Sequence, residues 1–377
     1  MRLSDIATFV EEKVSSEDIS LSQYVTTDSL LQNKAGRTVA QNLPPQKCSL
    51  NSFKKGDVLL GNIRPYLKKI WYATIDGGCS QNVLVLRAKE NKDSSFLYAL
   101  LSQDSFFEYE IKATKGSKMP RGDKNHIMNF PCIYLKNKIE IGSFLSTLDE
   151  KIALNRRINA KLEQMAKRLY DYWFMQFDFP NSDGKPYKSS GGKMAYNAEL
   201  KREIPEGWEV KSFSDFFELG NGKDYRHLQS GKIPVYGSGG FMCGITDFLF
   251  DGESVLFPRK GTLNNIMYKN EKFWTVDTMF YSKMKIQHSA IYVYYTAKQF
   301  DFSYLNTGTG VPSMTSVIIK GLPIIQPPQK IIDNFDCIVQ SYYKKIHKNE
   351  QESAKLTALR DKLLPLLMNG QVEVKKE

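Results

Sequence analysis

Cysteine is scarce in this chain and histidine scarcer: five Cys and four His in 377 residues. Cys48, Cys79, Cys132, Cys243 and Cys337 stand at least 31 residues apart, so no Cys-x-x-Cys pair exists for zinc or dithiol chemistry. They read as reduced thiols, mostly buried. His126, His227, His288 and His347 are scattered without metal-ligand spacing. Long apolar runs are missing too, since no segment approaches the roughly 18 uninterrupted apolar residues of a membrane span. The N-terminus, MRLSDIATFVEEK, has Asp5 and no apolar stretch ending in a small-residue cleavage site, which predicts a cytoplasmic protein without membrane contact. Acid is in deficit: 41 Asp and Glu against 52 Lys and Arg leave a formal charge of +11. Such an excess favours a polyanionic partner, because phosphates attract clustered cations and release their own counterions on binding.

What is present is a repeat. The length alone favours two domains with separate cores. GDVLLGNIRPYLKKIWY (56–72) aligns without a gap, at a shift of 196, with GESVLFPRKGTLNNIMY (252–268). Gly56 falls on Gly252, Leu60 on Leu256, Leu67 on Leu263, Ile70 on Ile266 and Tyr72 on Tyr268. Each copy reads as a Gly-acid turn, a short apolar strand, a basic turn and a second strand. Further on, GSKMPRGDKNHIMNFPCI from Gly116 aligns at a shift of 192 with GTGVPSMTSVIIKGLPII from Gly308, placing Pro120 on Pro312 and Pro131 on Pro323. Matched glycines and prolines imply one turn path in both copies, because these residues set backbone angles rather than chemistry.

Each copy then enters a helix. Steps of four and three give Leu148, Ile152, Asn155, Asn159, Leu162, Ala166, Leu169 and Trp173 in the first; the second, at a shift of 194, gives Tyr342, Ile346, Asn349, Ser353, Leu356, Arg360, Leu363 and Leu367. Both are heptad-like stripes, apolar at the ends and polar in the middle. Leu154, Ile158 and Met165 widen the first, as a helix that also touches a domain requires. Pairing is expected through Leu148, Ile152, Asn155, Leu162 and Leu169 against Ile346, Asn349, Leu356 and Leu363. About 26 residues at about 1.5 Å each make a rod of roughly 39 Å, comparable with the roughly 34 Å of one DNA turn. Asn155 and Asn349 fix register if buried, or are merely solvated; both readings stand. Between the first helix and the second repeat, a Gly-, Pro- and Ser-rich stretch reads as a linker. Pro365, near the end of the second helix, predicts a kink or a stop.

Constellations for catalysis are absent from the sequence. Gln326-Pro327-Pro328-Gln329 lacks both the Asn or Asp head and the aromatic tail of an adenine-methyltransferase motif, and reads as a helix start. Asp251 and Glu253 flank a strand start mirrored in the other copy, so a shared fold explains them better than a metal-dependent nuclease site does. The sequence predicts a binding protein rather than an enzyme.

IPEGWEV (204–210), the stretch LDEKIALNRRINAKLEQMAKRLYDYWF followed by FDFP, and the terminal KLTALRDKLLPLLMNGQV resemble the specificity subunits of type I restriction-modification systems. The resemblance covers essentially the whole chain; its one departure is a shortened start, without a first Gly-Trp entrance. It implies an α+β fold with two pseudo-repeated mixed α/β target-recognition domains, each followed by a long helix, the two helices pairing as an antiparallel coiled coil. The corresponding boundaries are 1–138 and 204–328 for the recognition domains, 139–175 and 329–370 for the helices, 176–203 for the linker and 371–377 for a tail. By the same resemblance each domain reads half of a split site in double-stranded DNA, the helices set the gap, and two methylation subunits modify an adenine in each half. S-adenosylmethionine, and ATP with magnesium, belong on partner subunits and none on this chain; whether restriction or motor subunits join stays open.

Reading DNA takes cations for phosphates and a few polar side chains for base edges. In the first copy Arg64, Lys68 and Lys69 sit on the basic turn, and Lys115, Lys118, Arg121 and Lys124 crowd the Gly-Pro loop. In the second, Arg259 and Lys260 occupy the turn with Asn264 and Asn265 following, and Arg226 lies on a separate loop. Ile63, Arg64 and Pro65 stand against Arg259, Lys260 and Gly261, which predicts two different half-sites rather than a palindrome. Two alternatives remain at this stage: the recognition arm of a split single-chain restriction-methylation enzyme, and a two-domain adaptor that binds no DNA.

Overall fold

The computed structural model describes residues 1–114, 118–133, 135–308 and 310–374. The chain divides into two compact units, Met1–Arg156 with Asn349–Glu377, and Arg157–Lys348.

In the first unit a four-stranded sheet runs in the order Ala7–Phe9, Val83–Ala88, Val58–Gly61, Ile70–Tyr72, all neighbours antiparallel. Val58–Gly61 is buried along its whole length, as its unbroken apolar run requires of a strand covered on both faces. Val58, Leu60, Leu84 and Leu86 face the Ser94–Leu101 helix, while Leu59, Val83 and Val85 face Phe53 and Trp71. Each such side chain, fully buried, contributes about 1.5–3 kcal/mol. A second sheet, Lys13–Ser15, Ser49–Phe53, Gly77–Cys79, Tyr24–Val25, completes the unit. Cys79 and Cys132 are buried, and burial pushes their thiols up to about 12 and about 11. Cys48 and Cys337 are exposed, so the expectation of mostly buried thiols fails for those two.

The second unit is built around a six-stranded sheet, Phe217–Asn221, Met279–Met284, Phe250–Pro258, Met267–Thr275, Ser230–Gly237, Gly240–Ile245, with the Ala290–Ala297 helix on it. Strand register corrects the gapless alignment of the repeats. Val58 pairs with Tyr72 and Val255 with Tyr268, so once the tyrosines are matched the first strand shifts by 197 rather than 196. Leu60 faces the helix side and Leu256 the opposite side, the consequence of a one-residue slip where side chains alternate. The second copy's basic turn is one residue shorter, and the true counterpart of Leu256 is Leu59.

The two units begin with different amounts of strand pairing. Unit two enters through Glu209–Ser212, paired with Pro323–Gln326, whereas unit one makes a single bridge, Arg2 to Pro131. Both then make a one-turn helix whose first amide is held by the third residue's carboxylate: Arg2 N–H to Asp5 at 2.7 Å, and Ser212 N–H to Asp215 at 2.8 Å.

Two long helices, Lys138–Tyr170 of 33 residues and Gln329–Met368 of 40, exceed the length expected of the repeat stripe. The first unwinds into one π turn, Asp171–Met175, that buries Trp173 and Phe174. The second runs three residues beyond Pro365 before it stops. In unit one, Ile141 and Leu145 from the first helix and Leu364, Leu367 and Met368 from the second close the same core. The pair is antiparallel: Asp149 meets Arg360 at 2.6 Å, and Asn155 Nδ2 donates to Glu352 Oε2 at 2.8 Å and Ser353 Oγ at 3.3 Å. In unit two, Ala166, Tyr170, Trp173 and Phe174 meet Ile332, Phe335 and Val339, and Asn159 Nδ2 donates to the Ile346 carbonyl at 3.4 Å. Asn155 and Asn349 are buried, 1% and 2% exposed, so neither is a solvent-facing polar position. Ile152 and Ile346 are buried as well, and Leu148, Leu162, Leu169, Leu356 and Leu363 are half-buried. Leu154 and Met165, expected to widen the buried stripe, are instead exposed.

Residues 176–203, expected as a linker, are packed onto unit two. Phe177 and Phe179 are buried, and Phe179 stacks between Tyr187 at 4.7 Å and Trp208 at 5.0 Å. Asp178 accepts from the Ser189 amide at 2.7 Å, and Met194–Asn197 pairs with Arg202–Pro205. The aromatics supply the buried area that the Gly- and Ser-rich composition conceals. Among the described residues no helix is long and apolar enough to cross a membrane.

Candidate nucleic-acid interface

In each unit the strand that leaves the sheet centre runs into the basic turn, and the Gly-Pro loop locks against that turn. Ile63 bridges Arg121, and the Arg64 N–H donates to the Pro120 carbonyl at 2.8 Å. In unit two Lys260 bridges Ser313, and the Gly261 N–H donates to the Pro312 carbonyl at 2.9 Å. Arg64 and Gly261 therefore occupy the same place, and both are left-handed, at φ 54° and 91°. Pro65 opens a 3-10 turn, Pro65–Leu67, that Lys68 closes in a second left-handed conformation at φ 50°. A left-handed arginine costs about 1–2 kcal/mol that glycine does not. Arg64→Gly should accordingly stabilise the first unit by about 1 kcal/mol in chemical denaturation; a loss of stability would show that the Arg64 side chain supports the fold.

The candidate cations divide into two groups. Arg64, Lys118, Arg121 and Lys124 are exposed, with Lys124 Nζ 5.4 Å from the Phe9 ring centroid. Among the described residues neither Arg64 nor Arg121 has an ion pair, so this turn presents two uncommitted guanidinium groups. Lys68 is half-buried, paired with Asp104 at 2.7 Å, and Lys34 joins the same carboxylate at 3.1 Å. The Lys68 hydrogen bond holds the Asp104 carboxyl below its usual range. Lys69 donates to the Thr27 carbonyl. Lys115 lies outside the described residues.

In unit two Arg259 and Lys260 are exposed, their backbone amides held by the Thr278 carbonyl at 2.7 and 3.2 Å. Asn264 is spent on the loop: its amide donates to Asp301 at 2.8 Å and Ser303 at 3.0 Å, and its oxygen accepts from the Phe302 N–H at 2.7 Å. Asn265 Nδ2 donates to the Ser238 carbonyl at 2.8 Å. Arg226 is exposed but paired with Asp224 at 3.0 Å. Among the described residues no group of three or more His, Cys, Asp or Glu could hold a metal ion.

The sequence profile of the type I restriction modification DNA specificity domain matches residues 1–164 and again 205–358, one match beginning in each repeat. The chain belongs to the type I restriction-modification specificity subunit family. It is 26% identical over 362 residues to the type I restriction enzyme MjaIX specificity subunit of Methanocaldococcus jannaschii, covering 88% of this chain and 81% of that protein. It is 24% identical over 436 residues to the HindI specificity subunit of Haemophilus influenzae, covering 93% and 94%. Its fold is similar to that of the type I restriction-modification system S subunit from M. genitalium, with a TM-score of 0.63 at 15% identity, over 97% of this chain and 94% of that one.

For a specificity subunit, the division among the cations separates two kinds of work. Lys68, Lys69, Asn264 and Asn265 hold loops in place, while Arg64, Arg121 and Lys260 are exposed and Arg259, also exposed, lies 5.8 Å from the Phe280 ring centroid. Local spacing gave no sign of Asp104, because it lies 36 residues from Lys68 and 70 from Lys34.

Proposed function

We propose that this specificity subunit reads an asymmetric bipartite DNA site, one half per unit, with the paired helices setting the gap, and recruits two methylation subunits for adenine methylation. The chain itself does no chemistry; S-adenosylmethionine, and ATP with magnesium, belong to its partners. The observation that carries this reading is the pair of equivalent turns that share a backbone path and differ in what they display. One offers Arg64 and Arg121; the other places Lys260 and Gly261 opposite Ile63 and Arg64 once the register slip is included, with Arg259 before them. Cations at such positions grip phosphates or bond guanine edges, and different sets select different half-sites. The exposed Leu154 and Met165 suit docking of the methylation subunits.

The test is to express this chain with its methylation subunit and map methylated adenines across the host genome. One motif in two unlike halves separated by a fixed gap is expected; a palindromic or continuous motif would overturn the reading. Arg64→Gly should weaken binding of the recovered duplex by about 5–150-fold if it bonds a base edge. If it meets only a phosphate, the loss should instead be uniform across sequences, with the salt slope reduced by about one.

A further inference from the structure

The strands Ser230–Gly237 and Gly240–Ile245 form a hairpin that turns through Ser238 and Gly239. Its tip is open on one side: a Cβ added at Gly239 or Gly240 would meet nothing within 4 Å. Directly after the tip come Phe241 and Met242, 67% and 50% exposed. Their aromatic and thioether groups face water, which leaves a sizeable hydrophobic stabilisation unused. The two are not alike. Met242 lies over Gly237, where a Cβ would come within 2.6 Å of its sulfur. Phe241 is the more exposed of the two and meets Tyr236 in a T-shaped ring contact at 6.5 Å. That backing is firm, since Tyr236 is buried, donates to Glu271 at 2.8 Å and carries Lys269 Nζ 4.3 Å over its ring.

The tip is also tied to the basic turn. Asn265 holds the Ser238 carbonyl, and Ser238 Oγ is so close to Gly261 that a Cβ there would stand 2.6 Å from it. Phe241 is therefore presented beside the turn that carries Arg259 and Lys260, with Lys232 exposed on the same hairpin. The first unit is built differently at this place. The amide of Ser80 bonds the Val25 carbonyl as that of Val276 bonds Tyr236, so the chain leaves the sheet at the same point. There it enters a polar loop folded back by the Asn33 and Lys34 amides onto the Leu67 and Lys68 carbonyls.

We propose that Phe241 is a wedge that stacks against a base in the half-site read by the second unit, opening one base step. The proposal rests on the reading that the Arg259–Lys260 turn faces DNA. Apolar side chains that project into the minor groove unstack a base step, and an exposed hairpin tip can carry one there. Lys269 over the backing Tyr236 ring and exposed Lys232 on the same hairpin favour a polyanion over an apolar protein surface as the occupant. Base stacking on an aromatic ring tolerates any base, so the wedge should add affinity and deformation at one step without specifying it.

The test uses the full chain with its methylation subunits and a duplex bearing the mapped site, with 2-aminopurine placed in turn at each step of both half-sites. Extrusion of the target adenines by the methylation subunits raises fluorescence in both half-sites; the wild type should give one further signal, at one step of the second unit's half-site. Phe241→Ala should abolish that signal and weaken specific binding about tenfold, leaving salt-dependent binding to unrelated duplex unchanged; Phe241→Trp should restore both. Specific binding that survives Phe241→Ala with the signal intact would overturn the wedge. So would a variant that loses its methylation subunits but keeps its DNA contacts, since the tip would then dock protein. A wild type that binds no duplex specifically would instead sink the DNA reading on which the wedge rests.

Discussion

Arg87→Ala should remove about 3–5 kcal/mol from the stability of the first unit, because it leaves a buried carboxylate without its cation. Asp57 is 2% exposed and takes both arms of Arg87, Nε at 2.7 Å and Nη2 at 2.8 Å. It also accepts the Lys54 N–H at 2.8 Å, and so pins the turn into the central Val58–Gly61 strand. The other unit solves the same problem without charge. At the position equivalent to Asp57 once the register slip is included, Ser254 is fully buried; its hydroxyl donates to the Ser282 carbonyl at 2.8 Å, and Ser282 Oγ accepts the Val255 N–H at 2.7 Å. Removing both charges should therefore cost less than removing one, because a neutral pair leaves no uncompensated ion. Hydrogen exchange separates the units: Arg87→Ala should deprotect Val58–Gly61 and Val83–Ala88 and leave Phe250–Pro258 unchanged. A double variant, Asp57→Ser with Arg87→Ser, that is less stable than Arg87→Ala alone would refute this account.

The comparison of the two copies also shows what can be read along a sequence and what cannot. The turn path was legible because glycine and proline constrain the backbone wherever they stand, and Pro120 and Pro312 meet their turns through the same carbonyl bond. The helix stripes were legible because Asn155 and Asn349 interrupt an apolar period. The register slip was not, since Leu59-Leu60 and Leu256-Phe257 are apolar in either alignment and only the strand partner assigns a face. The linker was misjudged because Phe177 and Phe179 gain their partners, Tyr187 and Trp208, only when the chain folds back. Arg360, within the apolar end of its stripe, meets Asp149, whose carboxyl is pushed up by burial and drawn down by Arg360. At the equivalent place in the second unit stands Tyr343, whose hydroxyl meets that of Tyr295 at 3.2 Å. Nor does spacing distinguish a cation that grips DNA from one that ties a loop: Lys69, next to Lys68, answers to Thr27, 42 residues away.

Glu110→Gln should remove an unusual pH dependence of the first unit. Glu110 is fully buried, neither carboxyl oxygen has a hydrogen-bond partner among the described residues, and burial pushes its carboxyl up from 4.5 to about 8. A raised acid binds its proton more tightly in the folded state, so this residue's contribution is most favourable below about 4.5, falls as pH rises, and levels off above about 8. At about 1.4 kcal/mol per pH unit, the loss between those limits is on the order of 4–5 kcal/mol, with roughly 3 already gone at pH 7. Glutamine cannot ionise and removes the slope. It also brings a donor to a place that lacks one, because the Asn62 Oδ1 buried nearby is without a partner. The position matters to the reading turn: a Cβ at Gly122 would strike Glu110 Oε1 and stand 2.9 Å from Asn62 Oδ1. Gly122 follows Arg121, and Asn62 leads into Ile63 and Arg64, so charging Glu110 strains the junction that holds both exposed guanidinium groups. The difference in unfolding free energy between Glu110→Gln and wild type should grow from near zero at pH 4 to several kcal/mol at pH 8.5, with amide protection gained first around Asn62 and Gly122. A difference that stays flat across that range would mean that the carboxyl finds water or a cation in solution, and that the turn is held by its backbone bonds alone.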